Sequence, residues 1–275
     1  MNRGIHYNLG MEEYHAWKLD KSNLKAGPIS CSMLKEFATN PYAWLRSEPK
    51  TPTAAMQTGS LLDLALTEPD QFDARVVTSP FDSYRTKEAR AWRDGALADG
   101  MIIADNLEVE NAKACAAAVW SHSEAAPILE QSTFQTGAVT ERQGIPAKCL
   151  IDILPDEDSW EEIIWDYKTT SFGLHNEGIK RAIGQFRYHW QAGFYRSIWN
   201  KESKDRHCER FGFIFQDPHT REVRVVVLDD DEMARGTECV TRALAEFEVA
   251  SERGVVSRYA TGRTTLGAPV YIAMQ

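Results

Sequence analysis

The sequence has 275 residues, enough to bury a full core in one large domain or in a domain with an extension. Hydrophobic residues make up 43% and charged residues 26%, ordinary for a soluble globular protein, and no apolar run approaches the roughly 18–20 residues of a membrane span. A formal net charge of −9 argues against a protein that coats nucleic acid through bulk charge, but leaves room for an enzyme that grips it in a local basic groove.

The first residues, Met-Asn-Arg-Gly-Ile-His-Tyr, lack the apolar core of a signal peptide, so a cytoplasmic location is the expectation. Residues 1–28 are polar with scattered aromatics and end in Gly27-Pro28; they read as an extended or partly ordered arm. Ser30 or Ser32 then caps a helix carrying Met33, Leu34, Phe37, Tyr42, Trp44 and Leu45, broken or kinked at Asn40-Pro41. A second helix begins at Gly59, and within its apolar run to Leu66 only Asp63 is charged. A buried lone carboxylate costs several kcal/mol unless paired or metal-bound, so Asp63 either faces solvent or has a task.

Residues 81–99 gather Arg85, Lys87, Arg90 and Arg93 with Tyr84 and Trp92, which fits a solvated helix face or a phosphate track. Residues 105–122 read as a helix. Then the texture becomes β-rich: 133–140, 146–154 and 161–169, separated by turns at Arg142-Gln143-Gly144 and Asp156-Glu157-Asp158, read as an antiparallel meander. Residues 173–199 are helical, in one or two pieces. A hairpin around Pro218-His219 and a long helix from Asp229-Asp230-Asp231 to about Arg253 follow. The tail, 254–275, is polar with a short apolar end. The five cysteines form no Cys-x-x-Cys pair and read as small core residues rather than a disulfide or zinc framework.

In a strand over 161–169, alternate side chains share a face, so Asp166 and Lys168 point the same way, about 7 Å apart at their Cα atoms. Asp152 lies on the preceding strand and converges with Asp166 if the two pair. Two carboxylates suit Mg²⁺, and a lysine beside them suits a scissile phosphate. Taken alone, such a triplet is more often a structural ion pair within the sheet than a catalytic set. Gln191 and Tyr195 are an i, i+4 pair on one helix face beside an apolar stripe of Phe186, Trp190, Phe194 and Ile198; they fit a site or a core boundary.

Taken in order, Gly59…Asp63, Asp152, Asp166-Tyr167-Lys168 and Gln191…Tyr195 resemble the PD-(D/E)XK nuclease superfamily. The Gln-x-x-x-Tyr turn is similar to its RecB-like branch, and within that branch to the RecE-type, exodeoxyribonuclease VIII-like phage enzymes. Ile29-Ser30-Cys31-Ser32 leading to Asn40-Pro41-Tyr42, Arg85-Thr86-Lys87-Glu88, Trp165-Asp166-Tyr167-Lys168-Thr169-Thr170 and Arg187-Tyr188-His189-Trp190-Gln191-Ala192-Gly193-Phe194-Tyr195 also fit. The resemblance spans roughly residues 29–230.

It implies an α/β (α+β) fold with a restriction-endonuclease-like core: a mixed sheet with a meander flanked by helices, plus an N-terminal helical region. A single domain at 29–253 would divide into a helical part, 29–130, and an α/β core, 131–253. Asp152, Asp166 and the carbonyl of Tyr167 would hold Mg²⁺ (or Mn²⁺), with Asp63 at the first-motif position. Lys168 would be the catalytic lysine, and Gln191 and Tyr195 would support the site or the DNA end. Arg85, Lys87, Arg90, Lys180, Arg181 and Arg187 are candidate phosphate contacts. The implied activity is 5′ to 3′ digestion of double-stranded DNA ends, leaving 3′ single strands for an annealing recombinase. The implied setting is a ring-shaped homo-oligomer, phage or prophage encoded, in a bacterial cytoplasm. An endonuclease, a single-strand nuclease and a non-catalytic DNA-binding protein of the same fold stay open.

The chain departs from the pattern in having Asp63 where the family usually has histidine, and Ile151 where a proline often precedes the first acid. With only Cys208 and Cys239 after the site, an iron–sulfur version is not expected.

Overall fold

The computed structural model describes residues 2–48, 52–142 and 144–255. Gln143 of the expected turn and most of the expected tail, including Val270-Tyr271-Ile272, lie outside the described residues. The chain begins with β1 (Gly4–His6) and α1 (Met11–Ala16). A helical region follows: α2 (Cys31–Thr39), α3 (Pro41–Arg46), α4 (Ala54–Thr67), α5 (Pro69–Arg75), β2 (Val76–Val77), α6 (Lys87–Ala98), β3 (Ile102–Ile103), α7 (Asn106–Trp120) and α8 (Ala125–Glu130). The remainder comprises β4 (Ser132–Arg142), β5 (Ile145–Pro155), β6 (Ile163–Thr169), α9 (Asn176–Phe186), α10 (Tyr188–Glu202), β7 (Arg210–Gln216), β8 (Val223–Val227) and α11 (Asp230–Arg253).

Helix starts follow the capping chemistry of the sequence. The Ser30 hydroxyl accepts from the Met33 N–H, and Asn40 ends α2 and caps α3, with Pro41 at its first turn. Asp105 and Glu108 form a reciprocal capping box on α7. Asp229 caps α11, whose acidic first turn complements the helix dipole. The helix carrying Asp63 starts at Ala54 under a Thr53 cap, ahead of the expected start at Gly59. The break between α9 and α10 falls at Arg187, whose φ of 52° is left-handed.

Among the described residues, six strands form one sheet in the order β1-β4-β5-β6-β7-β8. The expected meander β4-β5-β6 is antiparallel, as is the β7-β8 hairpin. β6 and β7 run parallel, because α9 and α10 carry the chain back across the sheet between them. Residues 1–28, expected as an arm, include an edge strand: Ile5 pairs with Ala138 of β4. The buried Lys148 ammonium of β5 fastens the following helix, donating to the carbonyls of Tyr14 at 2.5 Å and Trp17 at 2.6 Å.

The sheet buries both faces. Ile164, Phe211, Phe213 and Phe215 pack with α2, α9, α10 and α11; Ile153, Ile163, Trp165 and Ile214 pack with α4, α7 and α8. Glycines set two close approaches. A Cβ on Gly212 would stand 2.2 Å from the Trp165 ring across β6-β7, and one on Gly236 of α11 would stand 1.9 Å from the His189 carbonyl of α10. Backbone contact between α10 and α11 presses α10 onto the sheet and so fixes the height of Gln191. Cys31, Cys115, Cys149 and Cys208 are buried free thiols, and Cys239 is half-buried.

Candidate active site

β6 carries the site because its alternation is interrupted by charge only on one face. Ile163, Trp165 and Tyr167 join the α4/α7 side, and the Tyr167 hydroxyl donates to Gln216 Oε1 at 2.5 Å. Ile164 and Asp166 face α10, and Asp166 is fully buried. Its carboxylate is ion-paired to Lys168 and accepts from Gln191 Nε2 at 2.5 Å. Ile153 pairs with Trp165, so the antiparallel register puts Asp152 across from Asp166.

Asp63 and Ser60 of α4, Asp152, Lys168 and Tyr188 of α10 line one pocket of about 400 Å³ at the end of β6. The structure therefore brings together Asp63, Asp152, Asp166, Tyr167 and Lys168, with Gln191 behind Asp166. Tyr195 packs edge-on to Phe211, its phenol pushed well above the ordinary value by burial, by Tyr14 and by the charges of Asp166 and Asp152. Phe186, expected in the apolar stripe of Gln191's helix, lies instead at the end of α9 and is 45% exposed; Trp190, Phe194 and Ile198 are buried as expected.

The electrostatics are those of crowded acids. Burial, and then the charge of Asp166, raise the Asp63 carboxyl to about 7 despite the opposing pull of Lys168. Burial, Asp166 and Asp63 together raise Asp152 well above the carboxylate range. Burial disfavours the Lys168 ammonium, but Asp166 and Asp152 outweigh it and hold the lysine charged. That ammonium also donates to the Tyr167 carbonyl at 3.3 Å and lies 5.5 Å from the Tyr188 ring centroid.

The donor chemistry fits a hard divalent cation. The oxygens come from three carboxylates that repel one another, and a cation among them would relieve that repulsion. Asp63 Oδ1 is buried without a hydrogen-bond partner, and Asp166 Oδ2, equally buried, has the Lys168 ammonium against it. Among the described residues, no three His, Cys, Asp or Glu side chains stand already grouped as ligands. Asp63, Asp152 and Asp166 would hold the ion with the Tyr167 carbonyl.

Residues 85–90 are exposed at Arg85, Lys87 and Arg90, on and before α6. Lys180 and Arg181 are exposed on α9, the first paired with Glu177 at 3.4 Å and the second over the Phe172 ring. Arg187 is placed otherwise: its guanidinium donates to the Lys35 carbonyl and the Thr39 hydroxyl, tying α10 to the end of α2.

Three contributors have no role in the motif pattern. Tyr188 lines the pocket, and Lys35 of α2 lies over the same ring at 5.9 Å. Gln135 of β4, 3% exposed, donates to Asp63 Oδ2 at 3.3 Å and to Thr67 Oγ1 at 3.2 Å. Tyr188 sits three residues before Gln191, a spacing that places it on the same helix side, and that signal was available. Lys35 and Gln135 come from distant segments with no shared spacing.

Residues 30–260 match the PDDEXK-like domain family of unknown function DUF3799. The chain belongs to that family. Its mixed α/β architecture is the PDDEXK-like nuclease fold. The DUF3799 chain is also similar to a crystal structure from Eubacterium rectale, provisionally described as an exonuclease. The TM-score is 0.61 at 14% identity, with 98% of each chain covered, a likeness of fold. Candida albicans Rai1 in complex with pU5-Mn²⁺ aligns at TM-score 0.29 and 13% identity, over 90% of this chain and 76% of that one. None of the curated proteins compared matches the sequence. Among the described residues of this DUF3799 member, no helix is long and apolar enough to cross a membrane.

Proposed function

We propose that the chain is a Mg²⁺-dependent deoxyribonuclease that degrades double-stranded DNA from its ends, 5′ to 3′, leaving a 3′ single strand. The carrying observation is the convergence of Asp63, Asp152 and Lys168 in one pocket, with Asp166 buried behind them and fixed by Gln191. A bound Mg²⁺ or Mn²⁺ would polarise the phosphate and activate water for hydrolysis. Asp63, Asp152 and Asp166 would hold the ion. Lys168, kept charged by its acids, offsets negative charge on the phosphate as the water oxygen bonds to phosphorus and the bond to the leaving oxygen breaks. Gln191 prevents Asp166 from rotating. Tyr195 buttresses that helix turn against Phe211.

Attack at ends, rather than within the duplex, is supported by the RecE-like motif order and by the description carried by the Eubacterium rectale neighbour. The same resemblance supports a ring of subunits threaded by DNA, which needs few phosphate contacts per chain and so accommodates a net charge of −9. An annealing recombinase would take the product strand.

Linear duplex labelled at either the 5′ or the 3′ end, incubated beside a closed circle with Mg²⁺, tests the proposal. The expected result is early release of the 5′ label, late release of the 3′ label and an intact circle. Loss of the circle at the rate of the linear form would replace the exonuclease reading with an endonuclease.

A further inference from the structure

Gln135 and Asp152 mark a shared break in the β4-β5 ladder. Pairing runs regularly through Phe134↔Ile153 and Thr136↔Ile151, and the step between them, opposite Asp152, is missing from the register. Gln135 has φ 52°, a left-handed conformation that residues with a Cβ rarely adopt. Its effect shows in which face each neighbour joins. Phe134 packs on the α4/α7 side, but Ala138, an even number of residues on, belongs to the opposite core; Ile151 and Ile153 are divided in the same way around Asp152. Both strands therefore exchange the two buried faces they present at this one step. The exchange turns the Gln135 amide towards α4, where it meets Asp63 and, one helical turn on, Thr67.

Asp63 Oδ2 takes the Gln135 amide, and Oδ1 is buried with no partner. A carboxylate held on one oxygen presents the other in a fixed direction. We propose that Gln135 is a positioning residue that fixes Asp63 as a metal ligand, with the break in β4 serving to aim it. This rests on the metal-site reading above. The strained backbone, the buried amide and the single-sided hold on Asp63 are then parts of one device. Outer-sphere hydrogen bonds of this kind typically change metal affinity 10- to 100-fold.

The test is calorimetric titration of Mn²⁺ into the DNA-free 275-residue chain. The variants are Gln135→Met, which keeps the length but removes the donor, and Gln135→Asn, which tolerates the left-handed backbone but is one methylene too short. Asp63→Asn and the Asp63→Asn/Gln135→Met double variant complete the cycle. The expected result is about tenfold weaker Mn²⁺ binding for each Gln135 variant, and a double variant no weaker than Asp63→Asn alone. If Gln135→Met does not fold, Gln135→Asn decides. Wild-type affinity in the folded Gln135 variants, or losses that multiply in the double variant, would overturn the proposal. Asp152→Asn and Asp166→Asn separate the two readings. If they lose Mn²⁺ and the Gln135 variants do not, the positioning role alone has failed; if they too bind as wild type, the metal site itself has failed.

Discussion

Asp63 and Asp152 occupy positions where ionising is costly, and the cost has a measurable sign. For a carboxyl whose folded value lies near 7 against an ordinary 3.8, the unfolded chain releases its proton first. Stability contributed by the protonated form is full below about pH 4 and is lost as pH rises towards 7. The unfolding free energy of the metal-free protein should therefore fall between about pH 4 and 7, by on the order of 1 kcal/mol per pH unit from this carboxyl, and the thermal midpoint should fall with it. Asp63→Asn should flatten the profile, and Mg²⁺ should raise the midpoint more at pH 8 than at pH 5. Scanning calorimetry across pH, with and without Mg²⁺, checks both. Gln191→Ala frees one oxygen of the buried Asp166 and should weaken metal binding about tenfold, read by the same Mn²⁺ titration. Asp166 and Lys168 were legible in the sequence because strand alternation alone puts them on one face. Asp63 was legible as a lone acid in an apolar helix. Gln135 was not, because a left-handed step leaves no mark in residue type and reverses the alternation from which faces are read.

At the scale of elements, the site depends on how closely α10 approaches its neighbours. Gly236→Ala places a methyl group against the His189 carbonyl, so α11 must move away from α10. The expected cost is about 1–3 kcal/mol in urea denaturation, with a loss of nuclease activity at temperatures where the variant is still folded, since α10 carries Gln191. Lys148→Met removes the donor that serves the carbonyls of Tyr14 in α1 and of Trp17 just after it, and should cost about 1.5–3 kcal/mol in the same assay. The long helices and the meander were legible from caps and alternation. The three-residue β1 was not, because so short a strand has no period to detect and is held by its pairing to β4. The parallel β6-β7 neighbourship is likewise a tertiary fact: both strands are visible in the sequence, but their adjacency is created by α9 and α10 crossing one face.

At the scale of the whole molecule, the proposed DNA substrate would have to be met by an acidic chain through local cations. Arg85, Lys87 and Arg90 are exposed together around the start of α6, whereas Arg187 is committed to α2. Replacing the first three with alanine should weaken duplex binding and make the slope of log affinity against log salt shallower by roughly 2–3, the release of about one counterion per lost contact. Fluorescence anisotropy in EDTA over a salt series measures that slope without cleavage. Arg187→Ala should leave the slope unchanged. The proposed chemistry belongs to the acids and lysine at the end of β6. The most direct measurement is a time course on linear duplex DNA with wild type, Asp166→Ala and Lys168→Ala, each with Mg²⁺ and with EDTA. Wild type should digest the duplex with Mg²⁺ and not with EDTA, and each variant should be slower by roughly 10²–10³-fold or more with Mg²⁺ while remaining folded. Full activity in both variants would contradict the account and place the chemistry elsewhere in the chain.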